Sequence, residues 1–175
     1  MDGETVAVAL HLAEDRAEDG AEDAPAEPAP QALRVLPLPG LDRVGVVLVS
    51  HSRAVAESVA GLAAALVATG DPGPVAAAGG DEDGGVGTSA HLVVTAARGV
   101  DQGMGVAVLA DLEGAVDTVR ALLADAEALG LPFPIRFADA PFLEGAVAAV
   151  GTAAAGGDLA GVVEAAEDGY RVRKL

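Results

Sequence analysis

The chain has 175 residues, of which 51% are hydrophobic and 2% aromatic; it contains no cysteine and carries a formal net charge of −17. That length and hydrophobic share give one globular domain with a single core, and the absence of cysteine excludes a disulfide frame and a thiolate metal site. So acidic a surface repels nucleic acid and anionic membranes, and aromatic platforms for single strands are missing, so neither partner is expected.

The first 43 residues hold ten acids against Arg16, Arg34 and Arg43, and Glu14 to Pro30 is almost wholly Ala, Glu, Asp and Pro. Such a segment buries too little apolar surface to offset its ordering entropy, so residues 1–43 read as a disordered acidic extension. Val6 to Leu12 is at most a short strand or helix, and a start codon assigned too far upstream is the other reading of this region. The acidic start lacks the basic region of a secretory signal. No apolar run reaches the ~20 residues that span a bilayer, which makes a cytoplasmic protein the expectation.

Residues 44–175 form the expected domain. Val44 to Val49 is a continuous apolar run, as for a strand buried on both faces. Ser52 to Thr69 follows as a helix with Val55, Val59, Leu62 and Leu66 on one face, stopped by Gly70 and Pro72. Pro74 to Ala78 reads as a second strand, Gly79 to Gly87 as an acidic Gly-rich loop, and Thr88 to Gly99 as a helix capped by Thr88. Gly105 to Ala110 is a third strand. Leu112, Val116, Val119, Leu123 and Ala126 then mark a helical stripe ended by Gly130 and Pro132. Pro134 to Phe137 is a fourth strand, Pro141 to Ala155 a helix, and Asp158 caps a last helix ending near Gly169. Strands alternating with helices predict an α/β three-layer sandwich around a small, mainly parallel four-stranded sheet.

Ligands of such a sheet sit beyond the carboxyl ends of its strands, which directs attention to Ser50-His51-Ser52, to Gly79–Thr88 and to Asp111-Leu112-Glu113-Gly114. An imidazole at a strand end beside a helix N-terminus faces amide donors that favour an anion, and it can accept and release a phosphoryl group. His51 has that position; a loop histidine without a role is the plain alternative, and for His11 and His91 the plain reading is the better one. Asp111 can fix the tautomer of His51 if the two strands are neighbours, or it can simply cap the next helix. Gly87-Thr88, as a helix start, is a more plausible phosphate contact than the acidic part of its loop with Asp81, Glu82 and Asp83. The final Gly-Lys-Ser/Thr of a P-loop and a Rossmann fingerprint are both absent, so direct nucleotide binding, and any cofactor, is not expected.

At these residues the chain resembles the dihydroxyacetone kinase phosphoryl-donor subunits, within the mannose-type enzyme IIA family. The likeness is carried by V-V-L-V-S-H-S at Val46 to Ser52, A-A-G-G-D at Ala77 to Asp81 with V-G-T at Val86 to Thr88, L-A-D-L at Leu109 to Leu112, and A-P-F-L-E-G at Ala140 to Gly145. It implies a phosphotransferase that takes phosphate on His51 from a histidine phosphocarrier protein. The group then passes to ADP on a partner kinase subunit. The resemblance implies that Asp111 orients His51, and it implies a homodimer with no metal. Ser52, Gly87, Thr88 and Gly114 fall around the expected phosphate. The family's usual D-L-G-S is here Asp111-Leu112-Glu113-Gly114, which loses a hydroxyl and adds a carboxylate near the phosphate. A degenerate, non-catalytic regulatory domain is therefore a second reading. A small tetrapyrrole metal chelatase, from the passing likeness of Ser50-His51-Ser52-Arg53, is a third.

Overall fold

The computed structural model describes residues 42–174. The proposed acidic extension up to Leu41, with Val6 to Leu12 and His11, lies outside them. The elements run in order β1 (Gly45–Ser50), α1 (Arg53–Ala65), β2 (Val75–Gly79), α2 (Ala90–Gly99), β3 (Val106–Ala110), α3 (Glu113–Ala124), β4 (Ile135–Phe137), α4 (Phe142–Ala154) and α5 (Leu159–Glu167), with a 3-10 turn at Asp168–Arg171. The four strands form one sheet, all parallel, in the order β2-β1-β3-β4. This is the α/β sandwich with a small parallel sheet that the alternating pattern predicts.

Every residue of β1 and β3 is buried, as the uninterrupted apolar runs require. Their side chains alternate between two cores. Val46 and Leu48 of β1 join Ala107 and Leu109 of β3 beneath α1, α4 and α5. Val47 and Val49 join Val106, Val108 and Ala110 beneath α2 and α3. Residues this small bring helices close to the sheet. A Cβ on Gly79 would stand 2.6 Å from both the Ser52 carbonyl oxygen and Arg53 Cα, so the start of α1 lies directly on the end of β2.

Several local expectations need correction. α1 turns Ala56 and Ala63 inward, with Val59 and Ala60 packed beside them, while Val55, Leu62 and Leu66 are exposed. Of the expected stripe only Val59 packs against the core. α1 also stops at Ala65 rather than Thr69. α3 buries Ala115, Val119 and Leu122, and Leu112 is exposed. The cap of α2 is Ser89, whose hydroxyl accepts from Leu92 N–H at 3.3 Å, not Thr88. α5 gives way to the 3-10 turn before Gly169. Arg43 is anchored, pairing with Asp71 at 2.9 Å and donating its N–H to Gln102 Oε1 at 2.9 Å. Among the described residues no helix is long and apolar enough to cross a membrane.

Candidate functional site

Strand order reverses between β1 and β3, and the crevice beyond their carboxyl ends is where an open α/β sheet presents its chemistry. His51 is the first residue after β1 and Asp111 the first after β3, and the parallel register that pairs Val49 with Ala110 sets the two side by side. Asp111 Oδ1 lies 3.0 Å from His51 Nδ1. The same carboxylate accepts the His51 N–H at 3.0 Å and the Ser50 hydroxyl at 2.7 Å on Oδ2, and the Leu112 N–H at 2.7 Å on Oδ1. Four donors fill a carboxylate's acceptor capacity. Burial pushes the Asp111 carboxyl up, but these donors from Ser50, His51 and Leu112 outweigh it and hold it below the ordinary carboxylate value. Asp111 is not the N-cap of α3: that position is Leu112, which makes no side-chain cap bond.

Ser50, which the sequence places in the loop without a role of its own, is the last residue of β1. It is completely buried, donates to Asp111, and its hydroxyl also accepts from Ser52 N–H at 3.1 Å. A polar residue ending an otherwise apolar buried strand needs a partner, and that was the available signal.

The imidazole is 27% exposed. With Nδ1 engaged, Nε2 faces the start of α3, where a Cβ on Gly114 would stand 2.9 Å from it. Ser52 caps α1, its hydroxyl accepting from Val55 N–H at 3.5 Å. The N–H of Gly87 donates to the His51 carbonyl at 2.9 Å, so the loop after β2 is tied to the histidine's own backbone. Thr88 follows, with its Oγ1 buried and without a hydrogen-bond partner among the described residues. Two of the three acids of that loop are hydrogen-bonded locally. Asp81 Oδ1 accepts from Gly85 N–H at 2.6 Å, and Glu82 accepts the Ser89 hydroxyl at 3.1 Å. Glu113 is exposed at the first turn of α3, and His91 is exposed on α2. Among the described residues no group of three or more His, Asp or Glu side chains could hold a metal ion.

An imidazole with one nitrogen fixed by a carboxylate and the other open, between two helix starts, can act as a nucleophile toward an anionic electrophile. The family model for the PTS system fructose IIA component matches residues 45–163. No curated protein matches the chain. Among solved structures, one described as unknown function protein EF1359 is similar, with a TM-score of 0.59 and 22% identity over 72% of this chain and 94% of its own. At that identity the likeness is one of fold.

Proposed function

The chain belongs to the PTS system fructose IIA component family, a component of a phosphotransferase system, and on that premise we propose that His51 Nε2 is its phosphoryl carrier and Asp111 its positioning residue. The observation that carries this reading is the contact between His51 Nδ1 and Asp111 Oδ1, with Nε2 left facing Gly114. A carboxylate already accepting three other hydrogen bonds keeps the proton on Nδ1, so the lone pair is on Nε2.

In the forward step that lone pair forms an N–P bond while the P–N bond to the donor's phosphohistidine breaks, the bonding pair staying on the donor nitrogen. The ring then carries positive charge, which the Asp111 carboxylate balances. In the second step the terminal phosphate oxygen of ADP forms an O–P bond and Nε2 recovers its pair. Ser52, Gly87, Thr88 and Gly114 border the transferring group. Positioning and charge stabilisation suffice for such chemistry.

The donor in this reading is a histidine phosphocarrier protein, and the acceptor is ADP held on a dihydroxyacetone kinase subunit. That makes the chain a component of a phosphoenolpyruvate–glycerone phosphotransferase, acting in the cytoplasm as a homodimer. The motifs of Val46 to Ser52, Leu109 to Leu112 and Ala140 to Gly145 support that narrower assignment.

The test is phosphate incorporation from phosphoenolpyruvate, enzyme I and the histidine phosphocarrier protein. The expected result is an acid-labile, base-stable label on the natural chain and none on His51→Ala. An unlabelled natural chain beside a competent donor would favour the non-catalytic regulatory domain, which Glu113 supports, or the metal chelatase.

A further inference from the structure

Two large apolar side chains stand out in water beside His51. Val86 is 83% exposed and Leu112 is 62% exposed. Main-chain bonds tie both segments to the site. Gly87, next to Val86, donates its N–H to the His51 carbonyl at 2.9 Å, and the Leu112 N–H donates to Asp111 Oδ1 at 2.7 Å. Val86 belongs to the loop after β2 and Leu112 to the turn after β3, and β1, which leads into His51, lies between those strands. The two residues therefore lie in loops on opposite sides of the strand that leads into the histidine.

The surroundings are charged with one dominant sign. Glu82, Asp83 and Glu113 are exposed on the same two loops, and Glu57 lines a hollow of about 320 Å³ between the start of α1 and Gly84–Val86. Arg53 is the cation in that lining.

A phosphoryl group carried on a protein reaches bonding distance of Nε2 only if that protein covers what flanks Nε2. Building on the carrier reading of His51, we propose that Val86 and Leu112 are the apolar contact on which the protein phosphoryl donor docks. The matching donor surface is apolar around its phosphorylated side chain and basic at its margin. An apolar centre with a charged rim is the ordinary anatomy of a transient interface, and opposite charge at the rim speeds encounter.

The experiment compares the full chain with Val86→Gln and Leu112→Gln, both neutral changes at exposed positions. Each is phosphorylated in parallel by the histidine phosphocarrier protein and by phosphoramidate, a small donor with no protein surface. Expected is a fall of about tenfold in the protein-donor rate relative to the phosphoramidate rate, expressed in KM more than in kcat. An unchanged ratio overturns the docking surface while leaving the carrier histidine intact. An unchanged ratio together with slower passage from the phosphorylated chain to the acceptor assigns the surface to the acceptor and also overturns it. A natural chain labelled by neither donor overturns the carrier reading and the docking surface together.

Discussion

Asp111 and Gly114 set what the imidazole can do, one by holding it and the other by leaving it room. Because the Asp111 carboxyl titrates below its ordinary value of 3.8, the folded state favours its ionised form. Its contribution to stability is fully present above that ordinary value and is lost as pH falls through the lowered one. Urea denaturation of the wild type and Asp111→Asn should therefore differ by a constant amount from pH 7 to about pH 5 and converge below 3.8. A gap that does not narrow as the pH falls below 3.8 would show that ionisation is not its source. Gly114→Ala places a methyl group 2.9 Å from Nε2, and the ring cannot swing away without giving up the bond to Asp111. Phosphorylation of that variant should slow by roughly tenfold or more with the domain still folded, as read by label incorporation alongside circular dichroism. His51 and Asp111 were both legible in the sequence because each follows an apolar strand run. Ser50 was legible only as part of its loop: a polar end to an apolar strand signals the need for a partner, but that the partner is Asp111 follows from the pairing of β1 with β3. The closeness of Gly114 to Nε2 depends on how α3 starts, which spacing alone does not disclose.

Among the elements, α1 is the one whose placement the site depends on most directly. Its first residues rest on the end of β2, where Gly79 lets the Ser52 carbonyl and Arg53 backbone approach. Gly79→Ala adds a carbon 2.6 Å from both, so α1 has to move outward and take the His51 backbone with it. The expected result is a loss of about 1–3 kcal/mol in stability, measured by denaturation, and a larger proportional loss of phosphorylation. Wild-type stability with full activity would mean the contact relaxes freely. The same close packing explains why the helices were legible as elements but misread as faces. Val55, Val59, Leu62 and Leu66 satisfy helical spacing, yet the sheet accepts only Ala56 and Ala63 fully, with Val59 at their side. Hydrophobic periodicity favours the largest side chains, whereas contact between closely packed layers here selects the smallest. The cap of α2 was missed by one residue for a related reason. Thr88 still forms an isolated bridge with Gly80, so the chain enters the helix only at Ser89.

For the molecule as a whole, the family match begins at residue 45, just past the acidic segment. Deleting residues 1–41 should leave phosphorylation of His51 at the wild-type rate in the enzyme I and phosphocarrier assay, and a rate cut severalfold would assign that segment a part in transfer. The fold class was readable because every strand is followed by a helix, and the all-parallel sheet follows from that order. The strand sequence β2-β1-β3-β4 was not readable, because nothing in β1 or β3 names its neighbour. Parallel strands also divide the molecule into two poles. The loops leaving the strands carry His51, Gly87 and Asp111, while the returns near Gly70, Gly103 and Gly130 enter from the other end and use left-handed glycines to turn. Those returns are therefore the places to splice in a reporter domain, an affinity handle or a new terminus without obstructing the pole that holds His51.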